Sequence, residues 1–107
     1  MVLQALTSLT QGSARGVAEL RLPTALADHC DGHAVLHLPA ATIGEALDAL
    51  IRRYPALRRH LHADTGELRG YVNIFLNADE VRTLSAGLAT RVLDGDVIMI
   101  VPSIAGG

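Results

Sequence analysis

The fold is decided by an uninterrupted apolar run near the end of the sequence, Val97-Ile98-Met99-Ile100-Val101. The turn signal Asp94-Gly95-Asp96 stands directly before it and marks where the run begins. A strand that is apolar on both faces is either buried on both or keeps one face for a partner. We therefore expect this last strand to lie in the centre of a sheet, parallel to the first strand of the chain.

Two shorter segments near the start of the chain predict a hairpin. In residues 17–22 and 34–38 apolar side chains alternate with polar ones, which is the period of a half-buried strand. Pro23 and Pro39 are expected to end these strands, because proline has no amide hydrogen for a ladder. A polar loop joins the two segments, and it is long for a tight turn.

The clearest helix of the sequence follows the hairpin. Thr42 and Glu45 form the pattern of a capping box at its start. The apolar positions that come next have helical spacing and lie on one face: Ile43, Ala46, Leu47, Leu50 and Ile51. Pro55 is expected to end the helix just past Tyr54.

The rest of the chain predicts more strands. Residues 56–69 are expected to be a polar connection, and residues 71–76 a strand with Val72, Ile74 and Leu76 on one face and Phe75 on the other. A short edge strand is expected at residues 81–84, followed by a loop. The resulting fold class is α+β, a β-grasp (ubiquitin-like) arrangement. Its mixed sheet of four to five strands has one main helix packed on one face, and the opposite face is open.

The composition limits the function. With 107 residues the chain fits one domain, and half of the residues are hydrophobic. We divide it into an N-terminal extension (residues 1–16), the β-grasp domain (17–102) and a diglycine tail (103–107). A net charge of −2 argues against nucleic acid and membrane surfaces as partners. All nine basic residues are arginine, so there is no lysine for a phosphate loop or a Schiff base, and the lone Cys30 fits a reducing cytoplasm.

The histidines are the first candidates for a chemical site. His29, His33 and His37 are spaced by four residues close to Cys30, and on a helix this spacing would suit zinc. Because the surrounding pattern predicts loop and strand, we favour exposed side chains and no metal site. The carboxylates lie in turns, and no phosphate-binding loop is present. The sequence therefore contains no complete catalytic site.

The second candidate is the end of the sequence, Gly106-Gly107. Two glycines contribute nothing to packing, but residues without a Cβ let a chain end pass through a narrow channel and present its carboxylate to another protein. The alternative is a frayed terminus that happens to end in glycine.

The span from Leu20 to Gly107 resembles the ThiS/MoaD family of ubiquitin-like sulfur carriers, and within it the CysO type. The stretches that carry the resemblance are Leu22-Pro23-Thr24, Tyr71-Val72-Asn73-Ile74-Phe75-Leu76-Asn77, Gly87-Leu88-Ala89-Thr90, Asp94-Gly95-Asp96 and Pro102-Ser103-Ile104-Ala105-Gly106-Gly107.

The resemblance implies roles for particular residues. Gly107 would be adenylated and converted to a thiocarboxylate, and Gly106 would give clearance in the channel. Ile104 and Ala105 would form the apolar part of the tail, and Phe75 would belong to an apolar patch that docks on the activating enzyme. For Phe75 the alternative is an ordinary place in the core. No cofactor would be bound by the chain itself, since the ATP is used by a separate activating enzyme of the ubiquitin-activating type.

The resemblance also implies further partners. The sulfur would go to a biosynthetic enzyme such as a pyridoxal-phosphate-dependent cysteine synthase, and a metalloprotease would release the product. A carrier for another sulfur-containing metabolite fits nearly as well. The small subunit of molybdopterin synthase is also compatible with the sequence, and so is a ubiquitin-like binding module whose tail is never modified.

Overall fold

A computed structural model describes residues 16–102, which form one mixed five-stranded sheet. The strands are β1 (Gly16–Arg21), β2 (Val35–Ala40), β3 (Val72–Leu76), β4 (Asp79–Glu80) and β5 (Val97–Pro102). Their order across the sheet is β2-β1-β5-β3-β4. The apolar strand β5 is central, parallel to β1 and antiparallel to β3, which confirms the prediction from its sequence.

Three helices and four 3₁₀ turns complete the described part of the chain. The helices are α1 (Thr24–Ala27), α2 (Ile43–Arg53) and α3 (Arg58–Leu61), and the 3₁₀ turns are Asp28–Cys30, Pro55–Leu57, Val81–Thr83 and Gly87–Ala89. None of these helices is long and apolar enough to cross a membrane.

The predicted capping box begins α2. The Glu45 backbone N–H donates to Thr42 Oγ1 at 3.1 Å, and Glu45 Oε1 accepts from the backbone N–H of Ala41 at 3.0 Å. The second bond reaches one residue further back than in the usual box. It satisfies a backbone donor at the start of the helix in the same way.

The core lies between α2 and one face of the sheet. The apolar stripe of α2, which is residues 43, 46, 47, 50 and 51, is buried as predicted. The sheet contributes Ala18, Leu20, Leu36, Leu38, Val72, Ile74, Ile98 and Ile100, all of which are buried. Among residues 16–102 no polar or charged residue is buried, so this core is held by apolar packing. No helix of the described part of the chain covers the second face of the sheet.

The connection between β1 and β2 differs from the predicted loop. It contains α1 and the 3₁₀ turn Asp28–Cys30, and these bury Leu26 and Cys30 under the sheet. The strand β2 also continues through Pro39 to Ala40 instead of ending at the proline. It does so because β2 is an edge strand of the described sheet, where the missing N–H of Pro39 removes no ladder bond.

Two later predictions were wrong. Residues 56–69 are not simply a polar connection, because Leu57 and Leu61 are fully buried beside α2. The short edge strand is Asp79–Glu80, and the expected strand at residues 81–84 is a 3₁₀ turn. The reason is a tight hairpin at Asn77, whose φ of 57° turns the chain so early that Asp79 already pairs with Leu76.

The strand β1 begins at Gly16, one residue earlier than expected. A Cβ on Gly16 would lie 2.7 Å from the carbonyl carbon of Leu93 and 2.8 Å from the oxygen of Val92. The first strand therefore packs directly against the backbone before β5, and only glycine fits at this place.

Candidate functional site

The face of the sheet opposite α2 is apolar along the centre. Phe75 on β3 pairs with Met99 on β5, and Asn73 pairs with Val101. The side chains of Met99 and Val101 are 38% and 37% exposed, and Phe75 is half-buried. We call Phe75, Met99 and Val101 the apolar strip. The sequence left open whether β5 is buried on both faces or keeps one face for a partner. In the structure, residues 16–102 leave one face of β5 uncovered, so the strand is not buried on both faces.

Charged groups border the apolar strip on the β1 side. Arg21, which pairs with Met99, donates from Nε to Glu19 Oε2. His37 Nε2 lies 3.4 Å from Glu19 Oε1. The hydrogen bond from Arg21 holds the pKa of the Glu19 carboxyl below its usual value, so Glu19 is ionised at neutral pH.

A second charged group borders the strip on the β3 side. Arg82 Nη1 contacts Glu80 Oε2 at 3.3 Å and Asn73 Oδ1 at 3.5 Å, and its Nη2 donates to the carbonyl of Arg69 at 3.1 Å. The site is therefore an apolar centre between two arginines. This composition is typical of protein interfaces, which have an apolar core and a polar rim.

The beginning of β5 is held by side chains from two distant motifs. Asn77 Oδ1 accepts from the backbone N–H of Val97 at 3.0 Å, and its Nδ2 donates to Asp96 Oδ1 at 3.2 Å. In the same turn Asp94 Oδ1 accepts from the N–H of Val17 at 2.7 Å. These contacts connect β1, β3 and β5 at one end of the sheet and set the position from which β5 starts.

The other end of β5 is where the candidate tail begins. Pro102, the last residue of β5, pairs with Val72. The exposed Tyr71 precedes Val72, and the guanidinium carbon of Arg69 lies 6.0 Å from the centre of its ring. The predicted site residues Ile104, Ala105, Gly106 and Gly107 lie outside the described residues. The structure thus locates the root of the tail next to the apolar strip.

The structure separates the histidines that a zinc site would need together. The ring of His29 stacks on that of His60 at 4.5 Å, His33 is exposed, and His37 lies beside Glu19 on the sheet. Cys30 is fully buried, and this burial raises the pKa of its thiol. Within residues 16–102 no three ligand-type side chains form a group that could hold a metal ion.

Some residues of the site were missed by reasoning from the sequence. The bonds of Asn77 to Val97 and Asp96 span about twenty positions, and no local pattern shows them. The flanking roles of Arg21 and Arg82 were also missed. For Arg21 a signal was available, because it alternates onto the face opposite Leu20.

Comparison with known proteins agrees with this architecture. A model of the ThiS family matches residues 25–107. The sulfur carrier protein CysO of Mycobacterium tuberculosis is 35% identical over 88 residues, which are 80% of this chain and 94% of that protein. The small archaeal modifier protein 1 of Methanosarcina acetivorans superposes with a TM-score of 0.77 at 29% identity, over 87% of this chain and 98% of the other.

A chain of the BexX/CysO complex from Amycolatopsis orientalis superposes with a TM-score of 0.74 at 30% identity, over 84% of this chain and 99% of the other. These superpositions cover most of this chain and nearly all of each neighbour, which supports the β-grasp (ubiquitin-like) fold described above. From the match over residues 25–107 and the likeness to CysO over most of the chain, we conclude that this chain is a sulfur carrier of the ThiS family.

Proposed function

We propose that the chain carries sulfur as a thiocarboxylate on Gly107 and donates it in the biosynthesis of a small molecule, with cysteine as the preferred product. The observation that carries the proposal is the diglycine Gly106-Gly107, which follows the central strand β5 within five residues. That strand begins beside Asn77 and Asp96, carries Met99 and Val101 of the apolar strip, and ends at Pro102. The root of the tail therefore lies next to a surface on which an enzyme can dock.

The chemistry explains why a second protein is needed. A terminal carboxyl group has a pKa of about 3.5, so at neutral pH it is an anion and a poor electrophile. In the proposed reaction a carboxylate oxygen of Gly107 attacks the α-phosphorus of ATP, and pyrophosphate leaves. Hydrosulfide then attacks the acyl carbon, AMP leaves, and the S–H proton passes to solvent. The product is a thiocarboxylate, a soft nucleophile at the end of the chain.

The open face of the sheet is the proposed docking surface for the activating enzyme. Phe75, Met99 and Val101 offer an apolar centre, and the ion pairs Arg21–Glu19 and Arg82–Glu80 form a polar border. Burying exposed apolar surface stabilises an interface by about 25 cal/mol per Å². We expect the enzyme to present an apolar patch with polar groups around it, and to receive Ile104, Ala105, Gly106 and Gly107 in a narrow channel.

The experiment is an intact-mass measurement. The purified chain is incubated with ATP, a sulfide source and a ubiquitin-activating-type enzyme of the same family, and a sample without ATP serves as the control. We expect an ATP-dependent mass increase that corresponds to the replacement of one oxygen by sulfur. A chain that stays unchanged while the enzyme sulfurates another carrier would contradict the proposal.

The acceptor of the sulfur is a separate question. The preferred acceptor is an activated serine on a pyridoxal-phosphate enzyme. The thiocarboxylate sulfur would bond to the β-carbon of this serine as its activating group leaves, and the acyl group would then shift from the sulfur to the amino nitrogen. A metalloprotease would hydrolyse the resulting amide and release the new amino acid from Gly107. Transfer from the thiocarboxylate to such an enzyme, followed by mass, tests this pathway. Co-purification with a large molybdopterin synthase subunit would instead favour a role as the small subunit of that enzyme.

A second candidate function has support from the structural comparison. The small archaeal modifier protein 1 is similar over nearly its whole length, and its name describes a protein modifier. In this role the activated Gly107 would form an isopeptide bond with a lysine of another protein, because this chain has no lysine. Conjugates that resist reducing agents and carry the C-terminal peptide of this chain on a lysine, linked through Gly107, would favour it over the carrier role.

A further inference from the structure

A cleft of about 890 Å³ lies on the side of the molecule opposite the apolar strip. The end of α2 and residues 55–66 form it, and its volume is in the usual range of small-molecule sites. Because α2 covers the other face of the sheet, a partner docked on the apolar strip would leave this cleft accessible.

The cleft collects arginines that have no partner among the described residues. Of the eight arginines in residues 16–102, Arg21, Arg53, Arg69 and Arg82 each engage a neighbouring acceptor or ring. Of the other four, Arg52, Arg58 and Arg59 line the cleft. These three residues are exposed, and each guanidinium offers the planar set of donors that matches a phosphate or carboxylate.

A histidine in the same lining has an unsatisfied ring nitrogen. His62 lines the cleft, and its Nδ1 is buried without a hydrogen-bond partner among the described residues. A buried polar atom of this kind costs free energy unless something bonds to it. Because Nδ1 is out of contact with solvent, an anion in the cleft would be held by charge-assisted bonds from the arginines and not by this nitrogen.

Two carboxylates in the lining narrow the class of ligand. Asp48 and Asp64 also face the cleft, and within residues 16–102 no ion pair joins them to its arginines. The three arginines and two aspartates of the lining give a formal charge of only +1. A polyphosphate with several negative charges would be poorly neutralised here. A molecule with one oxyanion and one ammonium group uses both kinds of side chain.

We propose that this cleft binds a small zwitterion, with its phosphate or carboxylate on Arg52, Arg58 and Arg59 and its ammonium group on Asp48 and Asp64. Amino acids and amino-alkyl phosphates both carry this combination of one oxyanion and one ammonium group. The site is separate from the apolar strip, so the proposal stands independently of the sulfur chemistry.

The test is a titration of the ¹⁵N-labelled full chain, followed by backbone and arginine Nε signals. The probes are phosphoethanolamine and glycine as zwitterions, ethyl phosphate without the ammonium group, and ATP as a polyphosphate. We expect saturable shifts at Arg52, Arg58 and Arg59 with one or both zwitterions, and weaker binding of ethyl phosphate and ATP. Tighter binding of phosphoethanolamine than of glycine identifies phosphate as the preferred oxyanion, and the reverse order identifies carboxylate.

Variants identify the residues that bind the ligand. The same spectra also report whether each variant is folded. Arg58→Gln and Arg59→Gln should each weaken binding about tenfold, as the loss of a charge-assisted hydrogen bond predicts. Arg91→Gln is the matched control, since Arg91 is exposed and lies outside the cleft, and its affinity should be unchanged. Asp48→Asn with Asp64→Asn should remove the preference for phosphoethanolamine over ethyl phosphate.

Several results would overturn the proposal. These are shifts that do not saturate with either zwitterion, equal losses in Arg58→Gln and Arg91→Gln, and tighter binding of ATP than of both zwitterions. A Phe75→Asp variant should bind the zwitterion as the wild type does, and a loss there would place the ligand on the open face of the sheet instead.

Discussion

At the scale of single residues, Phe75 connects the sequence pattern with the proposed docking surface. Its neighbours Ile74 and Leu76 are buried under α2, and Phe75 itself faces the other way, opposite Met99. Alternation along a strand was enough to predict this orientation. The exposure of Met99 could not be predicted from its own run, because five apolar residues in sequence show no alternation.

We predict that Phe75→Asp weakens the complex with the activating enzyme without unfolding the chain. A charge in the apolar strip would have to be desolvated in the interface, and we expect a loss on the order of 30-fold, equivalent to about 2 kcal/mol at a hot spot. Ala56→Asp is the matched control, because Ala56 is exposed and lines the cleft on the other side of the molecule, away from the strip and its borders. Calorimetry that finds equal affinities for Phe75→Asp and the wild type would contradict the docking surface.

At the scale of elements, the strongest local signals predicted the structure well. The capping box and the apolar stripe predicted α2, and the run Val97–Val101 predicted the central strand. The helix α1 was missed because four residues are too short to show a helical period. Leu57 and Leu61 were hidden among arginines and histidines, although their spacing of four residues was a usable signal for a buried turn.

The contact between Asn77 and β5 is predicted to stabilise the fold. Asn77→Ala removes two side-chain hydrogen bonds. It also places alanine, which tolerates a positive φ less well than asparagine, at a position whose backbone φ is 57°. We expect the free energy of unfolding to fall by roughly 2–3 kcal/mol. The control is Asp79→Ala, an exposed residue of β4 in the same hairpin. Urea unfolding that gives equal midpoints for the two variants would show that this contact is unimportant.

The stacked pair His29 and His60 joins the turn after α1 to α3, and it predicts a dependence of stability on pH. Burial, more than the charges of His29, Arg59 and Arg69, lowers the pKa of His60 below its ordinary value of 6.5. Between the ordinary and the lowered pKa the unfolded chain binds more protons than the folded one. The free energy of unfolding should therefore decrease as the pH falls below about 6.5.

The measurement is urea unfolding at a series of pH values across this window. His60→Gln should flatten the dependence, because the side chain that titrates differently in the two states is gone. His33→Gln should retain it, since His33 is exposed. If the slope of the His60 variant equals that of the wild type, another group is responsible.

At the scale of the whole molecule, the topology gives the proposed function its geometry. The central strand β5 is held at its start by Asn77 and the turn Asp94-Gly95-Asp96, and it ends at Pro102, from which the tail continues. The β-grasp arrangement could be predicted from the order of the elements. Alternation could place Arg21 on the open face, but its position beside Met99 could not be predicted, because it depends on pairing between strands that are distant in sequence.

We predict that Gly106→Ala leaves the fold intact but blocks formation of the thiocarboxylate. A Cβ at position 106 adds bulk where the tail would pass through the channel of the enzyme. The described sheet ends at Pro102, so we expect unfolding by urea to be unchanged. Ser103→Ala is the matched control, since it changes the tail without adding bulk near Gly107. Sulfuration of Gly106→Ala at the wild-type rate would remove the need for a narrow channel.

The central claim is that a compact β-grasp scaffold presents the carboxylate of Gly107 for activation by another protein. It is tested most directly by tandem mass spectrometry of the C-terminal peptide of the native chain, isolated from growing cells under conditions that preserve thioacids. The account predicts a peptide that ends at Gly107 with sulfur in place of one terminal oxygen, at least in part of the material. A native chain that continues past Gly107, or one that carries only oxygen there while related carriers in the same cells are sulfurated, would contradict it.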